Sequence, residues 1–355
     1  MSEPVVLRVG LVGGGIGRSH AEAYLHLPDQ FQLAAVCDQV PERAQALAAM
    51  APGARVVHTL AELCRQDDVD VIDLCTPSYL HAEQVLEVLA AGKHAFCEKP
   101  VAGSLREVDQ MIAAEAQAGR RVMPIFQYRF GHGLQKLKHL VDQGVAGRGY
   151  LATVETAWRR RADYYAVEWR GKLATELGGA LVTHAIHAHD ALTYIVGQPA
   201  TVFARTATRV NPIEVEDCVA AALEMRDGSL ATLAVTLGSA VELSRMRFCF
   251  SNLTAESNRH PFVYTGDPWE FSADTPEARP AVDAALASFV PQPEGYVGQF
   301  SRFHSALQTG AELPVTLAEA RTSLELITAL YYSAHTGQAV SLPIAAEHPF
   351  YAGWR

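Results

Sequence analysis

Between Val71 and Pro100 the chain switches repeatedly between two hydrophobic periods, and this alternation restricts the possible folds more than any other feature. Val71 to Leu74 is an apolar run of strand length. Thr76-Pro77 interrupts it, and Ala82, Val85, Leu86 and Leu89 then share one face of a helical pattern. Gly92 stops that helix, Ala95-Phe96-Cys97 forms the next strand, and Glu98-Lys99-Pro100 ends it. Similar units flank this stretch. Leu7 to Val12 leads into a glycine-rich turn and a helix toward Leu27. A helix carrying Leu105, Val108 and Ile112 on one face ends at Gly119, before the strand Arg121 to Phe126. Thr59 with Glu62, and Ser104 with Glu107, have the spacing of capping boxes. Strands alternating with helices imply right-handed crossovers and a doubly wound parallel sheet, which is expected to end near Phe126.

In such a sheet the carboxyl ends of the strands line the ligand crevice. Lys99 stands at one of those ends, where a lysine is either a proton-transfer group or an ordinary surface residue. Gly13-Gly14-Gly15-Ile16-Gly17 stands at another. Glycines at this turn let backbone N–H groups approach a pyrophosphate, and the following helix N-terminus adds a favourable dipole. The match to G-x-G-x-x-G is incomplete, because position 18 is Arg and the third glycine arrives one residue early. The next strand, Phe31 to Cys37, ends at Asp38, near the spacing of a ribose-binding acid. A carboxylate there accepts from the ribose hydroxyls and repels a 2′-phosphate. NAD is therefore the expected cofactor, with NADP the alternative because Arg43 lies nearby. A helix N-cap before Pro41 is the other reading of Asp38.

After Phe126 the pattern changes. Tyr150 to Trp158 alternates, and Cys218 to Arg226 and Ser229 to Leu237 flank Asp227-Gly228, a type I′ hairpin signal. Met246 to Phe250 adds a strand, Gly266 to Gly295 reads as a proline-rich, acidic loop, and Thr316 with Glu319 caps a long helix ended by Gly337. The expected architecture is an N-terminal Rossmann domain over residues 1–126, then an α+β domain over 127–355 with a large, mostly antiparallel open sheet.

The formal charge of −10 argues against general nucleic-acid or anionic-membrane binding. Six cysteines without a C-x-x-C pair suit reduced thiols in the cytoplasm. Ser2-Glu3-Pro4 lacks the basic start of a signal peptide, and no apolar run is long enough to span a membrane.

The string Thr76-Pro77, His81, Ala91-Gly92-Lys93-His94 and Glu98-Lys99-Pro100 resembles the glucose–fructose oxidoreductase and inositol dehydrogenase (Gfo/Idh/MocA) family, and the likeness extends from Ala320 through Pro343. The resemblance implies an NAD(P)-dependent oxidoreductase of sugars or polyols, forming a homodimer or homotetramer through the second-domain sheet. It places Lys99 beside the nicotinamide and the reacting hydroxyl, and Thr76, Pro77, His81 and Glu98 at the cofactor with Gly13, Gly14, Gly15, Ile16, Gly17 and Asp38.

Leu177 to Leu192 reads LGGALVTHAIHAHDAL, and as a continuous helix it sets Thr183, His187 and Asp190 on one face. The segment is similar to the family's G-G-x-x-x-D-x-G-x-H-x-x-D. His187 takes the histidine position that faces the substrate hydroxyl and Asp190 the final acid, while Thr183 replaces the first aspartate and Ala185 a glycine. A carboxylate beside a histidine raises its basicity, and threonine cannot. By this likeness His187 is the expected base, with Lys99 donating to the developing carbonyl; the reverse assignment is the alternative. Tyr128, Arg129, Tyr164, Trp169, Arg170, Lys172, Thr183 and His184 are candidate substrate contacts, since hydroxyl-rich ligands are often held by such donors. Arg159-Arg160-Arg161 with Arg170 and Lys172 forms a basic island that suits an acidic sugar or phosphate, or a solvated strand end. His189 is expected to pack. No metal is expected, although His184, His187 and Asp190 keep a metal-dependent isomerase open. A cofactor-sensing regulator without turnover is the other alternative.

Overall fold

The computed structural model describes residues 5–354, so Ser2-Glu3-Pro4 lies outside the described residues. Two compact units emerge. One holds the chain up to Gln127 together with Gly295–Arg321, and the other holds Tyr128–Glu294 and Thr322 onward.

The first unit is built on six parallel strands, β1 (Leu7–Val12), β2 (Phe31–Cys37), β3 (Arg55–Val57), β4 (Val71–Leu74), β5 (His94–Cys97) and β6 (Val122–Pro124). Their order is β3-β2-β1-β4-β5-β6, which is the doubly wound arrangement, with its switch point between β1 and β4. The strands read as apolar runs because helices cover both faces: Val9, Leu11, Val36, Val71, Ile72 and Phe96 are fully buried. Both N-caps form, with each glutamate reaching back one residue further than in a full capping box, to His58 N (2.9 Å) and Gly103 N (2.8 Å). Thr59 Oγ1 accepts from Glu62 N at 3.1 Å and Ser104 Oγ from Glu107 N at 3.2 Å. Helix Gly295–Thr309, which the sequence reading assigned to the second domain, also belongs to this unit. Phe300 stacks on Tyr24 at 4.7 Å and on Phe96 at 5.1 Å between ring centroids. The Gln299 carboxamide accepts from Phe126 N (3.1 Å) and donates to Pro124 O (2.7 Å), satisfying the edge next to β6.

The second unit carries eight strands: β7 (Gly149–Arg159), β8 (Pro199–Ala207), β9 (Cys218–Met225), β10 (Leu230–Thr236), β11 (Gly238–Phe250), β12 (Leu253–Glu256), β13 (Glu270–Ala273) and β14 (Val340–Ser341). Their order is β13-β12-β11-β7-β10-β9-β8-β14, antiparallel except where β7 runs parallel to β10. The β9–β10 hairpin forms, but its turn is not type I′. Leu177 is the one non-glycine residue with positive φ among the described residues, so Asp227 lacks the left-handed backbone that turn needs, and Gly228 alone adopts it at φ +84°. Met225 N donates to Ser229 O (2.8 Å), closing a three-residue loop, and Asp227 Oδ1 accepts from Ser229 N (2.9 Å). The stretch 266–295 is not all loop. It holds β13 and helix Arg279–Ser288, where Pro280 sits in the first turn, the helical position that tolerates it, and Val282 and Ala285 are buried. Thr316 and Glu319, in the part of the chain that belongs to the first unit, close a full capping box, with Thr316 Oγ1 accepting from Glu319 N (3.2 Å) and Glu319 Oε2 from Thr316 N (2.8 Å).

Candidate functional site

At the carboxyl ends of β1 and β2 the backbone is held for close approach. Gly13 has φ +98°, and a Cβ there would lie 2.5 Å from Cys75 O, so no other residue fits. In front of Gly15 there is open space: a Cβ built there meets nothing within 4 Å. Helix Gly17–Leu25 begins immediately after the turn. Asp38 is half-buried, its Oδ2 accepting from Gly14 N (2.5 Å) and its Oδ1 from Val40 N (2.7 Å). Its carboxylate thus fixes the turn from below, and Val40 takes the N-cap position of helix Pro41–Met50. Room beside Gly15, a helix N-terminus and an acid at the end of β2 fit a dinucleotide with free ribose hydroxyls.

Lys99 is half-buried just past β5, with a cis peptide bond to Pro100. Glu98, expected at the cofactor, is buried beneath it. Oε2 accepts from Lys99 N (3.0 Å), and Oε1 meets His20 Nε2 (3.2 Å) and Tyr296 OH (3.4 Å). The other His20 nitrogen, Nδ1, bonds Asp73 Oδ2 at 2.8 Å, which also accepts from Tyr24 OH at 2.6 Å. Burial disfavours a charged ring at His20, but Asp73 and Cys75 outweigh it and raise its pKa well above the usual value. The shift favours the protonated ring, whose two N–H groups are placed to donate to the buried Asp73 and Glu98 carboxylates. This network escaped the sequence reading; its only trace is a histidine three residues past the glycine turn. His81, expected at the cofactor, is 1% exposed and spans two carbonyls instead, Pro100 O at 2.7 Å and Thr76 O at 2.8 Å. It ties together the chain segments that follow β4 and β5. The Thr76 hydroxyl donates to Gln84 Oε1 (2.6 Å).

In the second unit the histidine segment is not one helix. Ala180–Thr183 and Ile186–Val196 are separated at His184-Ala185, because Ala180 O accepts from both His184 N (3.2 Å) and Ala185 N (2.9 Å) and the turn widens. Thr183, which sequence spacing set on the face of His187, sits before this break. Its hydroxyl donates to Gly179 O (2.7 Å) and lies 2.6 Å from His184 Nδ1. The ring of His187 lies 4.5 Å from that of Tyr128, tilted by 38°. Arg129, a candidate substrate contact, is 3% exposed and engages Asp190 bidentately, Nε to Oδ2 and Nη2 to Oδ1, both at 2.6 Å. Arg129 is thus held in the core by Asp190, whose carboxylate is engaged there rather than in the alternative metal set with His184 and His187. Among the described residues the one His/Cys/Asp/Glu group with ligand atoms mutually within 4.8 Å is His20, Asp73 and Cys75. His189 packs: it is fully buried, and burial lowers its pKa to about 3.

Glu216 holds the start of the segment and was also missed. Its carboxylate accepts from Gly179 N (3.0 Å), Leu181 N (2.9 Å) and Tyr331 OH (2.9 Å), while Glu216 O accepts from Ala180 N (2.9 Å). A Cβ on Gly179 would lie 1.9 Å from Glu216 O, so the glycine is obligatory. Burial pushes Glu216 up to about 7 against these hydrogen bonds. His184 is buried between Trp158 (5.4 Å) and Tyr164 (5.5 Å). Tyr164 in turn meets Arg170, whose guanidinium lies 3.9 Å from the Tyr164 ring and 4.5 Å from that of Trp169. Lys172 is exposed and precedes helix Leu173–Glu176.

A doubly wound sheet with this turn, this acid and a lysine at the end of β5 defines a nicotinamide-dependent oxidoreductase. The chain belongs to the Gfo/Idh/MocA family: residues 7–126 match its "Oxidoreductase family, NAD-binding Rossmann fold" domain and residues 134–256 its C-terminal domain. It is 33% identical to the WlbA dehydrogenase from Bordetella pertussis, solved in complex with NADH and UDP-GlcNAcA, over 96% of this chain and 99% of that one, with a TM-score of 0.84. It is 28% identical to the D-glucoside 3-dehydrogenase of Escherichia coli (strain K12), over 95% of this chain and 97% of the relative. Identity to the inositol 2-dehydrogenase of Rhodococcus erythropolis (strain PR4 / NBRC 100887) is 35%, over 42% of this chain and 43% of the relative. No helix among the described residues is long and apolar enough to cross a membrane.

Proposed function

We propose that the protein oxidises a secondary alcohol of a sugar, inositol or related sugar acid with NAD, His187 taking the hydroxyl proton and Lys99 donating to the developing carbonyl oxygen. The observation that carries this reading is the position of Lys99, on the same carboxyl-end rim of the parallel sheet as the Gly13–Gly17 turn and Asp38. Bound NAD supplies the hydride acceptor. The chain's own residues supply the rest: Asp38 accepts from the ribose hydroxyls, the amides of Gly15, Ile16 and Gly17 face the pyrophosphate (those of Gly13 and Gly14 being taken by Cys37 O and Asp38), and the Tyr128 ring orients the imidazole of His187. Two of the dehydrogenases above are named for glucosides and inositol, and the third is solved in complex with UDP-GlcNAcA, which supports a hydroxyl-rich ring as substrate.

The test is NAD reduction, followed at 340 nm, over a panel of sugars, inositols and their acids. Lys99→Met and His187→Ala are each expected to lower kcat about 10²- to 10⁴-fold, the usual contribution of a positioned acid or base. Near-wild-type turnover in both variants would end the scheme. Thr183 in place of an acid favours one second reading, a regulator that binds the cofactor without turnover. NAD binding with no turnover across the panel would support it.

Exposed Phe203, Ala220, Ala222, Thr232 and Ala234 form an open face of the second sheet, which suits contact between copies in a homodimer or homotetramer. The six free cysteines fit a reducing compartment such as the cytoplasm.

A further inference from the structure

Strand β7 ends at Arg159, and Arg160 and Arg161 follow it directly, in a chain whose formal charge is −10. These residues line a cavity of about 390 Å³ with Asp163 and Tyr164. That volume falls in the range of small-molecule pockets, ~300–1,000 Å³. Arg159 is exposed, but Arg160 and Arg161 are half-buried and anchored rather than solvated. Arg160 lies over the rings of Trp158 (5.1 Å), Tyr164 (5.2 Å) and Phe262 (5.8 Å), and its Nη1 donates to Arg159 O (2.8 Å) and Glu242 Oε1 (3.0 Å). Its Nε is buried with no hydrogen-bond partner among the described residues. Arg161 is anchored through Nη1 to Arg160 O (3.1 Å) and Leu237 O (3.2 Å). Each of these two forks is thus fixed by one arm, in advance of any ligand.

A buried N–H without an acceptor is costly, and the group that best meets arginine forks is a planar or tetrahedral oxyanion. Asp163 and Glu242 offset only part of the charge of three guanidiniums, so the cavity stays net cationic. Tyr164 connects it to the histidine segment, since its ring meets that of His184, three residues before His187.

We propose that this cavity binds a carboxylate or phosphate group on the substrate, so that the protein acts on an acidic sugar derivative rather than a neutral sugar. The placement of that group near the reacting alcohol rests on the oxidoreductase reading above; the anion site itself does not.

Binding without turnover separates the two. Calorimetry on the full chain, without NAD, compares glucose, galactose and N-acetylglucosamine with their uronic acids and 6-phosphates. At least one acid is expected to bind about tenfold or more tightly than its neutral parent, and to weaken as NaCl is raised. The preference between uronic acids and phosphates identifies which oxyanion fits. Arg159→Gln, at an exposed position, and Arg161→Gln should each weaken that acid about tenfold and leave the neutral sugars unchanged, while Arg65→Gln, an exposed charge of the first unit, changes nothing. Equal binding of acids and parents, unaltered acid binding in both variants, or no binding of any acid overturns the site. Acid binding with no NAD reduction keeps the site and removes the redox reading; equal turnover of acids and neutral sugars keeps the redox reading and overturns the assignment of the anion to the substrate.

Discussion

The Arg129–Asp190 pair allows a quantitative test of what supports His187. Both side chains are almost fully buried, at 3% and 1% exposure, and two bonds of 2.6 Å join them. Ser323 Oγ adds a third donor to Asp190 at 3.1 Å, and the Arg129 guanidinium also lies 4.9 Å from the Tyr194 ring. Arg129→Met keeps the bulk of the side chain but leaves a buried carboxylate without its counter-charge, which costs about 3–5 kcal/mol. At about 2–4 °C per kcal/mol for a unit of this size, the melting temperature should fall by about 6–20 °C. Asp190 sits one turn after His187 on helix Ile186–Val196, so kcat should fall along with stability. Removing both charges, as Arg129→Met with Asp190→Leu, should recover most of the melting temperature, less roughly 1 kcal/mol for the acceptor that Ser323 loses. Differential scanning calorimetry on the two singles and the double gives the coupling directly. A shift below 2 °C in Arg129→Met, or a double variant as unstable as the singles, would refute the reasoning.

Three further outcomes can be measured. Glu216 holds its proton up to about pH 7 in the fold but releases it near 4.5 when unfolded, so between those values the folded chain binds more protons and stability falls as pH rises, by about 3 kcal/mol in all. Glu216→Gln cannot titrate, so its melting temperature should trail the wild type by more at pH 5 than at pH 8; a gap that widens with pH contradicts the assignment. Asp38→Ala should raise the KM for NAD about tenfold or more and affect NADP less, and an unchanged ratio of the two counts against the ribose role. His20→Asn removes the ring that joins Asp73 to Glu98 and should lower the melting temperature and kcat while changing the KM for NAD less. Loss of stability with unchanged kcat would confine His20 to the core.

The first sheet was readable because each of its signals is local. Apolar strand runs, capping boxes and glycine stops occupy a few adjacent residues, and the structure reproduces them with small shifts at the ends. Asp38 was readable for the same reason, as an acid at a strand end at a known distance from a glycine turn. The features that were missed are non-local. Nothing near His20 in sequence indicates that Asp73 and Glu98 will close around it, and nothing near Gly179 indicates Glu216. The break at His184 hides because Ala180–Val196 has continuous helical composition; only the doubled acceptor at Ala180 O interrupts it. The type I′ reading of Asp227-Gly228 failed on a single φ angle, since Asp-Gly serves a three-residue loop equally well. Arg129 illustrates the converse case: its residue type suggests ligand binding, and its partner sixty-one residues later fixes it in the core.

Helix Gly295–Thr309 has a consequence for how the polypeptide is made. Phe300 covers the aromatic surface formed by Tyr24 and Phe96, and Gln299 caps the edge beside β6, yet more than 160 residues are translated between that strand and this helix. While the ribosome works through that interval, the nascent amino-terminal segment carries an uncovered aromatic patch and an unsatisfied strand edge, the features on which chaperones act. A gene fragment stopped at Phe126 would keep that vulnerability for good, so an expressible excised version needs the distant helix spliced back on.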